Sequence, residues 1–504
     1  MGDVLGLLGQ GFEVALQPHN LLFALIGSLL GTVIGVLPGI GPSGAMALLL
    51  PVVFSMEPVT ALIMLASLYA GAMYGGSTTS ILLNVPGETS SVVTCLDGHA
   101  MAKQGRAGSA LSIAAIGSYI AGTLGVVGLM FFAPMIAQYA LAFGPPEYFA
   151  LMAFGLSAVV SLSGSSVIKG MLSMCIGLML ATVGTDVTGV SRFTFGTQEL
   201  LAGVEFLAVS IGLFAIPEVL LNARDAWSGA PRDIIKHRII IRLSEIRESL
   251  GAIFRGSTVG FIVGVLPGAG AGIASFLSYS LEMQISKHPE RFGQGEIKGV
   301  AAPESANNAA SAGALVPMLT LGIPGSGTTA ILLIALSALD VQAGPLLFIE
   351  RPDVVWGLIA ALYVGNIMLL VLNLPLVGLF VRLLYLPMYL LLPLIMVIAV
   401  IGVYSASQAM SDLYMLCALG VLGFYLRRNG YPVAPIILGF VLGGGMEEAV
   451  RQSMIITRGD FLQILERPIV AIFLTLAVLA MIVPLILQRV RFQGKAIQLE
   501  QEEA

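Results

Sequence analysis

Residues 107–146 carry no charged side chain, and neither do residues 354–381 or 468–488. Each run reaches the roughly 20 apolar residues that a helix needs to cross a hydrocarbon core. Few folds are open to such a chain, because in lipid every backbone polar group must be satisfied within a helix or a closed barrel. The runs are continuous, not alternating, which selects helices. Composition agrees: of 504 residues 57% are hydrophobic and 11% charged, with a mean hydropathy of +0.94. Soluble domains carry about 25% charged residues, so this chain lacks the polar surface to coat a core in water. It reads as an all-α polytopic protein of the lipid bilayer.

The same arithmetic removes other classes. The net charge is −5 and no dense basic patch exists, so nucleic acid has no electrostatic footprint to bind. Cys95, Cys175 and Cys417 are odd in number and set in apolar sequence, which is no disulfide framework. His19, His99, His237 and His288 are scattered without zinc spacing, so neither a metal site nor a cofactor is expected. An enzyme would need a nucleophile–base pair or metal ligands at depth, yet no histidine lies in an apolar span. The residues before Leu21 include no Lys or Arg, unlike the basic start of a secretory signal, so the first span is expected to be retained.

The first basic residue is Lys103, and basic residues then gather between Arg224 and Arg255. By the positive-inside rule this central linker, residues 223–250, is cytoplasmic, as is the tail with Arg489, Arg491 and Lys495. The N-terminus, with only Asp3 and Glu13, is expected outside. Apolar positions at 234–241, Leu243, Ile246 and Leu250 also suit an interfacial amphipathic helix.

The linker separates two similar halves. Gly31-Thr-Val-Ile-Gly35-Val-Leu-Pro-Gly39-Ile-Gly41 returns as Gly260-Phe-Ile-Val-Gly264-Val-Leu-Pro-Gly268-Ala-Gly270. Gly76-Ser-Thr78-Thr79-Ser-Ile-Leu-Leu83 returns as Ser326-Gly-Thr328-Thr329-Ala-Ile-Leu-Leu333, and Leu96-Asp97 is answered by Leu339-Asp340. The organisation expected is a first transmembrane repeat (1–222), the linker (223–250), a second repeat (251–466), and a final transmembrane helix with its tail (467–504). An outside N-terminus and an inside linker require an odd number of crossings per half, so the second copy is inverted. Inverted repeats whose broken helices meet at the midplane are a recurrent plan of secondary transporters.

Four interruptions locate such a site. Residues 38–44 and 267–272 are Gly/Pro-rich and precede apolar runs too short to span, like arms of re-entrant hairpins. Residues 75–79 and 324–329 break two further apolar stretches. Non-helical backbone at membrane depth is tolerated only in a protein interior or along a wet cavity. Half-helices starting at Thr78 and Thr328 would aim free N–H groups and a positive dipole end at an anion. Gly39, Gly41, Ser43, Ser77, Thr78, Thr79, Gly268, Gly270, Gly325, Ser326, Thr328 and Thr329 are the candidate substrate contacts. The plainer reading is that these hydroxyls only cap kinked helices. Asn84, Asn307 and Asn308 are candidates for holding a cation such as Na⁺ with exposed carbonyls; interhelical hydrogen bonding is the alternative.

Other patterns carry less. Gly39-Ile-Gly41-Pro-Ser-Gly44 matches a dinucleotide fingerprint in letters, but the flanks are membrane spans and not a βαβ unit. The Gly31/Gly35 and Gly260/Gly264 pairs read as close helix packing. Glu88, Asp97, Asp186, Glu304 and Asp340 would be ion or proton sites if deep and merely solvated if not. Glu447, Glu448 and Arg451, at one helix turn's spacing, read as a structural salt bridge.

Taken together these strings resemble the large membrane subunit of the tripartite tricarboxylate transporter family. The matching runs are 35–41, 74–87 (YGGSTTSILLNVPG), 94–105 (TCLDGHAMAKQG), 292–310 with its APESANNAA core, 321–326 (LGIPGS) and 438–453 ending EEAVRQS. Gly444-Gly445 departs from the Gly-Pro-type turn expected there. The resemblance implies a permease of the bacterial inner membrane with a small four-helix membrane subunit and a periplasmic solute-binding protein as partners. That protein would deliver a carboxylate, citrate or a related di- or aromatic acid, for uptake driven by an ion gradient, often Na⁺. Analogy with other hairpin-bearing carboxylate carriers implies an elevator mechanism. Pairing of the complex as a homodimer is left open, and an uncoupled organic-anion channel or facilitator is the rival function.

Overall fold

The computed structural model describes residues 2–37, 41–84, 86–162, 166–186, 189–227, 241–382 and 388–483. The first helices are α1 (Gly2–Ala15), α2 (Pro18–Val36), α3 (Gly41–Val53) and α4 (Pro58–Leu83). An irregular stretch with short turns at Thr89–Ser91, Cys95–His99 and Ala102–Arg106 leads into α5 (Ala107–Ala140). Then come α6 (Pro145–Leu162), α7 (Val167–Ala181), a two-residue antiparallel ladder of β1 (Gly184–Thr185) with β2 (Ser191–Arg192), and α8 (Phe206–Trp227). The second half opens with α9 (Leu243–Val265), α10 (Gly270–Ile285), α11 (Lys298–Leu321) and α12 (Gly327–Ala338). It continues through α13 (Leu347–Glu350), α14 (Pro352–Asn373), α15 (Val377–Val381), α16 (Met388–Ser407), α17 (Met410–Arg428), α18 (Ala434–Ile456), α19 (Phe461–Leu465) and α20 (Pro468–Val483). Most of the linker, Gly39 and the basic tail lie outside the described residues.

Among the described residues, α2, α4, the stretch Ala102–Ala140, α14 and α17 are long and apolar enough to cross a membrane. The helix α3, with 13 residues, and α12, with 12, are apolar but too short to span alone. The all-α expectation therefore holds.

The chain divides into two compact units, one of Met1–Leu141 with Glu205–Tyr425 and one of Ala142–Val204 with Leu426–Ala504. Inside the first unit, α2 lies on α4 and α9 lies on α11 in the same way. A Cβ at Gly27, Gly31 or Gly35 would overlap the carbonyls of Met64, Leu68 and Ala72, and one at Gly256, Gly260 or Gly264 would overlap those of Ala302, Ala306 and Ala310. Glycine every fourth residue forms one bare stripe, so the helices touch backbone to backbone; the packing reading of these glycines stands. Packed by α9, α5 and α10, α11 is buried along residues 299–320.

In the second unit α7 and α18 repeat the device, with Gly177 set against Ile436 and Gly439 against Met174. Glu447 accepts both guanidinium arms of Arg192, and Arg451 bridges Glu447 at 2.8 Å and Asp186 at 2.9 Å. Of the two expected acids Glu447 thus joins a four-charge network, which Asp186 serves, whereas Glu448 accepts from Gln452 Nε2 at 3.0 Å. Gly444-Gly445 lies within α18, where no turn interrupts the helix.

Candidate functional site

Three of the four expected interruptions are real, and their ends converge in the first unit. The helices α3, α10 and α12 each begin after a break, and Gly41, Gly268 and Gly270 adopt positive φ there, which glycine takes without a Cβ penalty. Ser43 Oγ and Thr328 Oγ1 lie 2.9 Å apart, joining the first turn of α3 to that of α12. Gly268 N donates to Gly325 O at 3.0 Å, joining the break before α10 to the one before α12. Ser326 caps α12, its hydroxyl accepting from Thr329 N while Thr329 Oγ1 accepts from Ser326 N. Three helix N-termini, each the positive end of its dipole, thus meet beside Ser43, Ser326, Thr328 and Thr329. No Lys or Arg occurs in residues 41–44, 267–272 or 324–329.

The fourth interruption needs correction. Residues 75–79 do not break α4, which runs unbroken from Pro58 to Leu83, so no half-helix starts at Thr78. Gly75 and Gly76 cost helix propensity of about 0.5–1 kcal/mol each. Here they lie where α2 and Glu88 approach the backbone too closely for any side chain. Thr79 and Ser80 turn their hydroxyls back onto Gly76 O, 3.1 and 3.0 Å away. The break in this half comes one turn later. Asn84 closes α4 in the left-handed conformation, as Gly322 closes α11. Asn84-Val-Pro86-Gly87 is then followed by a reciprocal Glu88–Ser91 cap, just as Gly322-Ile-Pro324-Gly325 is followed by the Ser326–Thr329 cap. Gly87 presses on Gly76 and Gly325 on Ala314, and Thr89 sits near Gly272 at the start of α10. Asn84 is exposed at its cap and stands apart from Asn307 and Asn308.

The buried polar residues of α4 and α11 face one another behind these loops. Glu304 is 0% exposed. Its Oε2 accepts from Ser77 Oγ at 2.5 Å and from Asn307 Nδ2 at 3.1 Å, and its Oε1 accepts from Thr94 Oγ1. Asn308 Nδ2 donates to Ser118 Oγ (2.8 Å) and to Asn307 Oδ1 (2.5 Å). Farther along, Tyr74 donates to Asn366 Oδ1, while Asn366 Nδ2 reaches Tyr119 O and Thr123 Oγ1 at 2.8 and 2.9 Å. Asn308 and Asn366 both line a pocket with Tyr69, Gly122, Ser311 and Leu315. Thr78 and Thr79 are buried in α4 and do not reach the loop junction by any hydrogen bond described here.

Two acidic candidates resolve into other roles. Asp97 is fully buried; its Oδ1 accepts from Gly293, Gly295 and Glu296 N at 2.9, 2.8 and 2.8 Å, and its Oδ2 from Tyr279 at 2.9 Å. It clamps the loop that leads into α11. Asp340 is an exposed loop residue with φ of 57°. Thr94, Ser118, Tyr74 and Asn366 were not singled out from sequence. The available signal was their polarity inside otherwise apolar helical stretches, Asn366 within the uncharged run 354–381 above all.

Comparisons with known proteins agree with this architecture. A family model described as the tripartite tricarboxylate transporter TctA family matches residues 21–438. An uncharacterised 52.8 kDa protein in the TAR-I ttuC' 3' region of Agrobacterium vitis is 45% identical over the full length of both chains. A second uncharacterised protein of that organism, in the TAR-II ttuC' 3' region, is 44% identical over 227 residues, 45% of this chain and 94% of its own. No solved structure matches the chain. With its apolar spanning helices and a family match over most of its length, the chain belongs to the TctA family, the large membrane subunit of tripartite tricarboxylate transporters.

Proposed function

We propose that this permease takes up a carboxylate bearing two or three carboxyl groups, delivered by a periplasmic binding protein, and couples uptake to a cation gradient, Na⁺ in the first instance. The observation that carries the reading is the convergence of the α3, α10 and α12 N-termini beside Ser43, Ser326 and Thr328. Several positive helix ends suit a ligand with several negative groups. The lack of Lys and Arg in these loops suits a carrier, because a bidentate guanidinium–carboxylate pair would slow release. Citrate is the first proposed substrate, with related di- and aromatic acids as alternatives.

The paired stripes of α2 on α4 and α9 on α11, with matching caps at Asn84 and Gly322, support a duplicated chain. Opposite orientation of the halves follows from the basic linker under the positive-inside rule, with linker and C-terminus cytoplasmic in a bacterial inner membrane. Asn307 and Asn308 belong to the cation side of the machinery. The break-started helices α3, α10 and α12 suit an elevator mechanism, in which such segments carry substrate past a rigid scaffold. The family works as a tripartite system; the small four-helix subunit is the proposed membrane partner.

The test is uptake of labelled citrate and a panel of dicarboxylates into proteoliposomes containing the chain and its small partner. Uptake that requires both a Na⁺ gradient and the binding protein is expected. Gradient-independent equilibration would indicate a channel or facilitator and overturn the coupled reading.

A further inference from the structure

Glu304 is a buried carboxyl group that no described basic side chain pairs with. The atoms it touches are neutral: the hydroxyls of Ser77 and Thr94 and the amide of Asn307. Basic groups on the neighbouring elements are committed elsewhere. Arg106 pairs with Glu245 at 3.0 Å, Arg255 with Glu282 at 2.7 Å, and Lys298 with Glu248 at 3.4 Å. Lys103 and Arg247 are exposed, and His99 turns a ring nitrogen to Ile81 O. The helices α4 and α5 carry no charged residue at all. Of the two other acids nearby, Asp97 is taken up by backbone N–H groups, and Glu88 packs over Gly76, beside Ser77. Glu88, a second acid, supplies no counter-charge. A buried carboxylate with no counter-charge is costly, and the cost falls when a proton or a metal cation joins it.

The groups around Glu304 can supply that cation with a shell. Ser77 Oγ, Thr94 Oγ1 and the two carboxylate oxygens are all hard oxygen atoms, and each hydroxyl that donates a proton still has lone pairs to offer. Oxygen-only shells suit hard cations. The single carboxylate among these ligands balances one positive charge. We propose that Glu304, Ser77 and Thr94 form a Na⁺ site, with Asn307 Nδ2 positioning the carboxylate, and that it is the coupling site of the carrier described above, on which this inference rests. The ligands come from α4, from the irregular stretch after it and from α11. A bound ion therefore ties the segment that touches α10 at Gly272 to the helix that leads into the α12 cap. Ion occupancy and the geometry of the anion-facing loops are thereby linked, as coupling between two sites requires.

The experiment uses the purified full-length chain, with Na⁺ titrated against choline at constant ionic strength. Bound ²²Na⁺ and thermal unfolding are the readouts, and neither depends on transport. Wild type is expected to bind Na⁺ saturably and to be stabilised by it. Glu304→Gln is expected to raise the half-saturating Na⁺ concentration by at least about tenfold while unfolding in choline close to wild type. If Glu304→Gln fails to fold, Thr94→Val and Ser77→Ala each delete one ligand, keep the carboxylate, and are expected to weaken Na⁺ severalfold. Undiminished Na⁺ binding in these variants overturns the site, as does a wild type that binds no Na⁺ and responds only to protons. Uptake by wild-type proteoliposomes is assayed in parallel. Transport with unaltered Na⁺ affinity in the variants would sink the site and spare the carrier; an intact Na⁺ site without transport of any acid would do the reverse.

Discussion

Asp97 and Glu304 are both wholly buried carboxylates, and their surroundings separate them. Asp97 holds three backbone N–H groups of residues 293–296, so Asp97→Ala would orphan the buried Gly295 donor, at roughly 1–3 kcal/mol, along with two more exposed ones. A loss of thermal stability of several degrees is expected, reduced in Asp97→Asn, which keeps one acceptor; an unchanged melting temperature would contradict the clamp. Asn307→Ala is expected to abolish coupled uptake while the protein still inserts and folds, and unchanged uptake would remove Asn307 from the machinery. The acidic positions were visible in sequence, but their roles were not. Asp97 meets partners 196 to 199 residues away, and Glu304 meets Ser77 across 227. Depth and partnership are properties of the packed fold, which no local spacing encodes.

At the scale of elements, glycine sets the spacing. Gly260 faces the carbonyl of Ala306, so Gly260→Ala must push α9 away from α11, at about 1–3 kcal/mol. Gly9→Ala in α1, where nothing lies within 4 Å, is the control and is expected to be unharmed or stabilised by up to about 1 kcal/mol. Detergent-solubilised melting curves of the two variants check this, and equal stabilities would contradict backbone-to-backbone packing. The i, i+4 glycines announced this contact in the sequence. The breaks were harder to place. The shared letters of residues 76–83 and 326–333 suggested equivalent sites, yet the first lie in the last turns of α4 and the second begin α12. The structurally matching strings are Asn84-Val-Pro86-Gly87 and Gly322-Ile-Pro324-Gly325. Glycine alone does not end a helix when a neighbouring backbone fills the groove it opens, whereas proline after a left-handed residue does.

For the whole molecule, the absence of charge over long runs was enough to make it an α-helical membrane protein, since lipid permits little else. The two compact units are interleaved along the chain, with residues 142–204 joining residues 426–504. Such an arrangement depends on contacts between segments far apart in sequence, and repeat motifs do not reveal it. The central claim is that substrate carboxylates sit where the N-termini of α3 and α12 meet. The direct measurement replaces Cys95, Cys175 and Cys417 by alanine, introduces Ser43→Cys or Ser326→Cys, and follows alkylation of each thiol in proteoliposomes with and without transported acid. The account predicts that a transported carboxylate slows alkylation at both positions, with half-protection near the concentration that half-saturates uptake. Labelling rates at both positions that do not respond to an acid the same vesicles transport would contradict it.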